Sequence, residues 1–314
     1  MLKDLLETKH CFKLVCGAGN EDVEDIKRLV YIYALAGCRF FDLSANEEVI
    51  KAAFEALEKA EVYDAYLCVS VGIKNDPHVN KAVIDYEKCV NCGACEAVCP
   101  QGAIHGAKVK KEKCIGCDRC WKVCSRGAIS YISEEKDLRE VLPLIVSKNI
   151  DCIEFHVMGT DENEIYSKWK YITDNFDGML SICTSRGKLS DEGLVYRIKS
   201  MIQNRKPYSV IVQADGFPMS GGDDDYKSTL QAVATAEIVQ NEKLPVYLML
   251  SGGTNGKTTE LARMCGISYN GVAVGSYARK IVKTFVEKSD FWTNSQVVED
   301  ALETAKPLVD SVIL

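Results

Sequence analysis

Short apolar runs alternate with amphipathic stretches along most of the chain. Between the apolar runs, hydrophobic residues recur at helical spacing, as in EDVEDIKRLVYIYALAG (21–37), NEEVIKAAFEALEKA (46–60) and STLQAVATAEIVQNE (228–242). Strict alternation of strands and helices predicts a parallel sheet. Eight runs have the length and composition of strands: FKLVCG (12–17), FFDLSA (40–45), AYLCVSV (65–71), CIEFHVM (152–158), MLSICTS (179–185), SVIVQAD (209–215), VYLMLSG (246–252) and GVAVGS (271–276).

Residues 73–132 interrupt this alternation after the third strand. Without them, eight strand–helix units in about 250 residues match the size and order of a (β/α)8, or TIM, barrel. A doubly wound sheet is the alternative. The predicted fold is therefore an α/β TIM-like barrel, divided into residues 1–72 and 133–314 by an inserted domain at 73–132. An insert in this βα-loop should cover the barrel mouth, where TIM barrels carry their catalytic groups.

The inserted segment contains an internal duplication. CVNCGACEAVCPQGAI (89–104) is followed 25 residues later by CIGCDRCWKVCSRGAI (114–129), and each copy reads CxxCxxCxxxC. With this spacing, a tight loop supplies three thiolates to one 4Fe-4S cluster, and a short helix carries the fourth to the other cluster. The predicted ligands are Cys89, Cys92, Cys95 and Cys124 for the first cluster, and Cys114, Cys117, Cys120 and Cys99 for the second.

Zinc is the alternative metal for this cysteine pattern. Four-cysteine zinc sites use CxxC pairs, but they lack the third cysteine at this interval and the duplicated fourth. Residues 84–132 resemble bacterial two-cluster ferredoxins, although Ser125 stands where the first copy has Pro100, which is not a ligand. Two adjacent clusters indicate a short electron path, while a purely structural role is the other interpretation.

Composition narrows the class of protein. The 314 residues are 47% hydrophobic, contain no export signal and no run of eighteen apolar residues, and so predict a soluble cytoplasmic protein with no membrane partner. Residues 86–131 carry a net charge of +4, which leaves −11 on the rest of a chain whose total is −7. This balance argues against nucleic acid as a partner.

One face of the predicted strands collects polar residues, which a merely packed barrel interior would not show. We expect a polar pocket at the mouth, in which Glu154 and His156 exchange protons, Asp215 orients a substrate and Lys13 stabilises negative charge. Asp42 is a further candidate catalytic residue of this pocket. The alternative is a structural network in which Lys13 pairs with Asp42 or Glu154. The polar set is Lys13, Asp42, Ser44, Cys68, Ser70, Glu154, His156, Ser181, Cys183, Gln213, Asp215 and Ser251.

Glycine turns follow the last two predicted strands and lead into helices, in SGGTNGKTTELARM (251–264) and GVAVGSYARK (271–280). Such turns bind phosphate, and TIM barrels use the loops after strands seven and eight for it. GTNGKTT (253–259) also resembles the nucleotide loop of Mur ligases. The strict GxxxxGK[ST] motif, however, needs glycine where Ser251 stands, and too few residues follow it to complete a nucleotide-binding sheet.

The last third of the chain resembles FMN-binding barrels of the nitronate monooxygenase and flavin enoyl-reductase kind. The similar segments are VIVQADGFPMSGG (210–222), LSGG (250–253) and VGSYA (274–278). The resemblance implies FMN as a further cofactor. It nominates, as contacts of the flavin phosphate, Gly252, Gly253, Thr254, Gly275 and Ser276.

The whole chain resembles the LdpA family, the light-dependent period proteins of cyanobacteria and their bacterial relatives. The resemblance rests on FKLVCGA, LAGCRFFDLSA, the cluster motifs, IEFHV, QADGFPMSGG, GGTN and GVAVGSYAR, in this order. It implies an iron–sulfur protein that senses or relays redox state.

Three functions follow as hypotheses. In the first, a redox partner protein delivers electrons through both clusters to a flavin or small phosphorylated ligand at the barrel mouth, as in an FMN-dependent oxidoreductase. In the second, the protein is a redox sensor or adaptor without turnover. In the third, it is the electron-transfer subunit of a larger complex.

Overall fold

A computed structural model describes residues 1–17, 19–74, 76, 79–134, 136–216 and 223–314. Its eight parallel strands form a closed barrel in which each strand pairs with the next along the chain and the last pairs with the first. A doubly wound sheet would keep two open edges, so the predicted TIM barrel is confirmed. The strands are β1 (Cys11–Val15), β2 (Phe40–Ser44), β3 (Tyr66–Gly72), β8 (Cys152–His156), β9 (Met179–Ser185), β10 (Val210–Asp215), β11 (Tyr247–Ser251) and β12 (Gly271–Val274).

A helix follows each barrel strand, and a polar side chain starts most of these helices. Asp22, Asn46 and Asp161, for example, accept a hydrogen bond from a backbone N–H of the first turn. The helices are α2 (Val23–Leu35), α3 (Glu47–Lys59), α6 (Leu138–Ser147), α7 (Glu162–Asn175), α8 (Asp191–Ile202), α9 (Tyr226–Asn241), α10 (Thr258–Met264) and α11 (Ser276–Val286). Two more, α1 (Leu2–Glu7) and α12 (Ser295–Ile313), precede and follow the barrel. None of the described helices is long and apolar enough to cross a lipid bilayer.

Two apolar layers hold the barrel. The larger fills the space between strands and helices with outward-facing residues such as Leu14, Val69 and Phe155. The smaller lies inside the barrel, where Leu2 and Leu6 of α1 pack beneath inward-facing strand residues. Helix α1 therefore closes the amino-terminal end of the barrel with apolar side chains. The polar inward residues lie in the other half, towards the carboxyl ends of the strands.

The inserted segment lies between β3 and α6. Its elements are β4 (Asn80–Ile84), α4 (Ala94–Ala97), β5 (Ile104–His105), β6 (Lys108–Val109), α5 (Arg119–Val123) and β7 (Ile129–Ser133). Strands β4 and β7 pair in antiparallel fashion, as do β5 and β6.

The insert contacts the barrel at its carboxyl-terminal face. Glu21 N donates to Glu112 O at 2.6 Å, just after β1. Lys283 of α11 donates to Pro100 O at 2.8 Å. The cysteine motifs therefore lie over the end of the barrel at which TIM barrels carry active sites.

We predict that Arg197 stabilises this end of the barrel. It is buried in α8, donates to Val157 O at 2.6 Å and Gly159 O at 3.1 Å, and pairs with Glu162. Arg197→Leu leaves both carbonyls without these donors, so the free energy of unfolding should fall by about 2 kcal/mol or more.

Urea titration followed by circular dichroism measures this loss. The control is Lys199→Leu, a change of an exposed lysine on the same helix. An equal effect of the two substitutions would contradict a stabilising role for Arg197.

Candidate redox centre and ligand cleft

The structure brings the eight motif cysteines together in two groups. One small cavity is lined by Cys89, Cys92, Cys95 and Cys124, with Ile84 and Ile129 among its apolar walls. A second is lined by Cys99, Cys114, Cys117 and Cys120, with Ile104 and Ile115. Each group combines three cysteines of one sequence copy with the fourth of the other, which is the cross-ligated arrangement that the spacing predicts. Convergent thiols within apolar walls fit a 4Fe-4S cluster at each position.

A repeated turn explains why glycine and alanine recur after the fourth cysteine of each copy. Gly102 and Gly127 have positive φ angles of 61° and 58°. The turns direct Ala103 N to Cys99 Sγ at 3.2 Å and Ala128 N to Cys124 Sγ at 3.3 Å. Such hydrogen bonds favour the thiolate and tune the reduction potential of a cluster.

The two cluster positions differ in their surroundings. Cys92 of the first group is exposed, whereas Cys114 and Cys120 of the second are buried. Beside the second group, the buried Lys81 donates to Cys114 O at 2.8 Å and to Gly19 O, after β1, at 2.7 Å. The first position therefore lies nearer the protein surface, and the second lies against the barrel beside a buried cation.

A cleft of about 690 Å³ opens between the second cluster position and the barrel. Its walls include Cys99 and Cys117 from the insert and Ser276, the first residue of α11. Three acidic residues, Asp25, Asp223 and Glu287, are outnumbered there by six basic ones, namely Lys113, Arg119, Lys122, Arg279, Lys280 and Lys283. The cleft thus combines cluster ligands with an excess of positive charge.

Arg279 is the most enclosed basic residue of this cleft, with 9% of its surface exposed. Its Nη1 donates to Val15 O at 2.6 Å, and no described residue accepts from its Nε. Burial lowers the pKa of Arg279. A Cβ atom at Gly275 would lie 3.3 Å from Nη1, and one at Gly17 would lie 3.6 Å away. Both glycines therefore leave room for the guanidinium.

The residues nominated for a flavin phosphate are distributed unevenly. Ser276 lines the cleft. The lining does not include the other four nominated residues, Gly252, Gly253, Thr254 and Gly275. A Cβ atom at Gly252 would come within 2.2 Å of Asp215 Oδ1, and Thr254 Oγ1 donates to Ala273 O at 2.5 Å. These contacts already give Gly252 and Thr254 packing roles. Residues 217–222 of the glycine-rich segment lie outside the described residues.

The predicted catalytic residues lie inside the barrel and contact one another. Lys13 Nζ lies 3.0 Å from Asp42 Oδ2 and 3.1 Å from Gln213 Oε1, and it forms an ion pair with Glu154. His156 Nε2 lies 2.9 Å from Glu154 Oε1. Lys13 thus pairs with both carboxylates, which are the contacts of the structural alternative, and all these side chains are at most 6% exposed.

Lys13, His156 and Glu154 stabilise one another's charged forms, whereas the charged form of Asp42 is disfavoured. Burial opposes the charged forms, but Lys13 and His156 hold the pKa of Glu154 well below its usual range. The carboxylates of Asp42 and Glu154 in turn raise the pKa of Lys13 despite its burial. Burial and the charge of Glu154 raise the pKa of Asp42. Asp215 is also buried, at the end of β10, beside Gly252.

Two family models match this sequence. The light dependent period A C-terminal domain matches residues 144–311, and the 4Fe-4S binding domain matches residues 82–105 and 107–130. The chain belongs to the LdpA family. Light dependent period A of Synechococcus elongatus is a relative. The two sequences are 29% identical in an alignment of 326 positions, which covers 98% of this chain and 92% of that protein. The two 4Fe-4S matches, together with this membership, support an iron–sulfur protein.

Similarity to one solved structure supports the fold, and the fold alone. The YdjI aldolase of Escherichia coli K12 superposes with a TM-score of 0.52 and 6% identity, covering 100% of this chain and 94% of the aldolase. A dihydrodipicolinate synthase from Oceanobacillus iheyensis superposes with a TM-score of 0.45 and 10% identity, covering 96% of this chain and 80% of the synthase, and no conclusion rests on it. Membership of the LdpA family therefore combines here with a TIM barrel.

Three residues that the sequence does not nominate take positions in these sites. Lys81 lies beside the second cluster position, Arg279 lines the cleft, and Asp76 contacts His156 with 3.3 Å between Oδ2 and Nδ1. Arg279 follows the GS turn and could be noticed there. Lys81 and Asp76 carry no sequence signal, because their partners are far along the chain.

We predict that Cys124→Ser removes the first cluster, although Cys124 belongs to the second sequence copy. Cross-ligation places Cys124 with Cys92. Cys124→Ser and Cys92→Ser should therefore leave the same EPR spectrum, that of the second cluster. Cys117→Ser should leave the different spectrum of the first cluster. Iron should fall from about eight to about four atoms per chain in each. The exposed Cys265, replaced by serine, is the control. A residual spectrum of Cys124→Ser that matches Cys117→Ser would disprove cross-ligation.

We predict that Lys81→Met makes the reduction potential of the second cluster more negative. A nearby buried cation stabilises the added electron, so its removal disfavours reduction. EPR-monitored redox titration in the Cys124→Ser background, which should keep the second cluster, measures the shift. The control is Lys88→Met, an exposed lysine next to Cys89 that solvent screens. An unchanged potential in Lys81→Met would show that this charge does not act on the cluster.

Proposed function

We propose that this protein passes electrons through two 4Fe-4S clusters to a flavin or small phosphorylated ligand bound in the cleft beside the second cluster. One observation carries the proposal: the same cleft is lined by Cys99 and Cys117 and by the basic residues around the start of α11. A ligand there would lie against the second cluster, while an excess of positive charge would hold its anionic group.

The electron path begins at the first cluster. The exposed Cys92 puts that cluster within reach of a redox partner protein. The crossed ligand sets would keep the clusters adjacent, since Cys99 and Cys124 each follow a short helix that leads from one position to the other. One-electron transfer is the chemistry that bound clusters would supply, and the second cysteine group would hold its cluster next to the cleft.

The cleft suits a phosphorylated ligand in size and charge. Its volume of about 690 Å³ falls within the range of small-molecule sites. Helix α11 starts at Ser276 without a side-chain cap, so its first N–H groups are not engaged by a capping side chain. FMN meets these requirements, and it would supply two-electron chemistry when bound.

We predict that Ser276→Asp weakens ligand binding at least about tenfold, because the new carboxylate repels a phosphate at the helix N-terminus. Acidic residues stabilise this helix position, so the fold should survive. The matched control is Ser295→Asp at the first residue of α12. Anaerobic purification, acid release with absorbance scanning, and FMN titration measure binding.

Two results would reject the flavin proposal or its location. Wild-type protein that neither carries nor binds FMN would reject the flavin, and inorganic phosphate titration would then test the wider class of phosphorylated ligands. FMN binding that is equal in wild type, Ser276→Asp and Ser295→Asp would reject the cleft as the site.

A redox sensor or adaptor is the second candidate function. Large apolar side chains, Val90 and Trp121, are exposed on the insert next to cluster cysteines, where a partner protein could respond to cluster charge. Pull-downs from oxidised and reduced extracts should then recover different partners. Identical recovery would argue against sensing. The remaining hypothesis would then be an electron-transfer subunit of a larger complex, and the cleft of such a subunit would bind no ligand.

A further inference from the structure

The geometry points to a mononuclear divalent transition-metal site inside the barrel, formed by Glu154, His156 and Cys183 and separate from the two clusters. One ligand atom from each residue lies within 4.8 Å of the others, and all three residues are buried. They come from the neighbouring strands β8 and β9, near the carboxyl ends, where TIM barrels place functional groups. The proposal does not depend on a ligand in the cleft.

His156 has a carboxylate oxygen beside each ring nitrogen, and a metal bound at Nε2 would replace the proton that lies between Nε2 and Glu154. Its Nδ1 lies 3.3 Å from Asp76 Oδ2, and its Nε2 faces Glu154 Oε1 at 2.9 Å. A carboxylate on the outer ring nitrogen fixes the orientation of the imidazole, which is the usual arrangement around a protein-bound metal. Asp76 is buried in the connection between β3 and β4, so the base of the insert orients this histidine.

The two oxygens of Glu154 have different partners. Oε2 contacts Lys13 and accepts from Ser181 Oγ at 3.3 Å. Oε1 faces His156 and also accepts from Gln213 Nε2 at 2.9 Å, while the same amide lies 3.6 Å from Cys183 Sγ. Lys13 therefore neutralises one side of the carboxylate, and Gln213 orients the other side and the thiol towards a common point.

A neighbouring group with similar spacing does not fit a metal. Asp42, Cys68 and Glu154 also have ligand atoms within 4.8 Å of one another. The Lys13 ammonium lies 3.0 Å from Asp42 and contacts Glu154, so a cation already occupies the space between these carboxylates. Of the two groups, we therefore assign the metal site to the one that contains His156.

The donor set defines the class of metal. A thiolate, an imidazole and a carboxylate together suit zinc or ferrous iron and not magnesium or calcium, which prefer oxygen ligands. Three protein ligands leave one coordination position for water or a substrate oxygen, as in catalytic zinc sites. The site would then be a Lewis acid in the polar half of the barrel.

Anaerobically purified protein with both clusters intact and oxidised tests the proposal. Oxidised 4Fe-4S clusters are diamagnetic, so high-spin cobalt(II) added to the protein can be followed by EPR without interference. Plasma mass spectrometry of the purified protein measures zinc beside the cluster iron. We expect about one zinc or cobalt ion per chain in addition to about eight iron atoms.

Cys183→Ser, which preserves the side-chain size, and His156→Asn should each lose at least nine-tenths of this extra metal while keeping the cluster iron. The matched control Cys265→Ser changes an exposed cysteine outside the barrel interior and should bind as wild type does. Retained cluster iron and an unchanged circular dichroism spectrum show that a variant is folded. Wild-type protein without extra metal, or equal cobalt signals in wild type and both folded variants, would overturn the site.

Discussion

The crossing of cysteines between the two motif copies is the constraint on which the insert depends. A domain of about 60 residues buries too little apolar surface to be more than marginally stable. The apolar core of the insert is small, and several of its members are the cysteines themselves, including Cys114 and Cys120. Each cluster would join both sequence copies, so cluster binding and folding of the insert should be coupled. Hydrogen bonds between the insert and the barrel would then hold the second cluster position against the barrel.

The barrel interior has a charged half and an apolar half, and the cost of burying charge explains this division. Burying a charged group without a partner costs free energy, and here Lys13 lies between Asp42 and Glu154 while His156 lies beside Glu154, so opposite charges offset one another. Below them the interior is apolar and closed by α1. Lys13 has a defined place because it contacts two carboxylates from different strands. The Lys13 ammonium occupies the space between Asp42 and Glu154, which leaves the group of Glu154, His156 and Cys183 as the other possible cation position.

Much of this arrangement follows from local sequence patterns. Period-two apolar runs located all eight barrel strands, and cysteine spacing located both cluster positions, because each signal lies within a few residues. The polar faces of the strands were visible for the same reason. The contact of Lys81 with Gly19 and that of Arg279 with Val15 could not be read in this way. They join residues far apart in the chain, and only closure of the barrel and the position of the insert bring them together.

β1 and the residues that follow it link the three parts of the molecule. Lys13 belongs to the charged interior, and the carbonyl of Val15 anchors Arg279 in the cleft. The carbonyl of Gly19 accepts from Lys81 beside the second cluster position. Cluster reduction would add negative charge close to Lys81, and the nearest barrel element bound to that lysine is this same segment. Lys81, Arg279 and the charged interior therefore all contact the part of the chain that contains β1 and Gly19, which a ferredoxin attached through a flexible linker would not do.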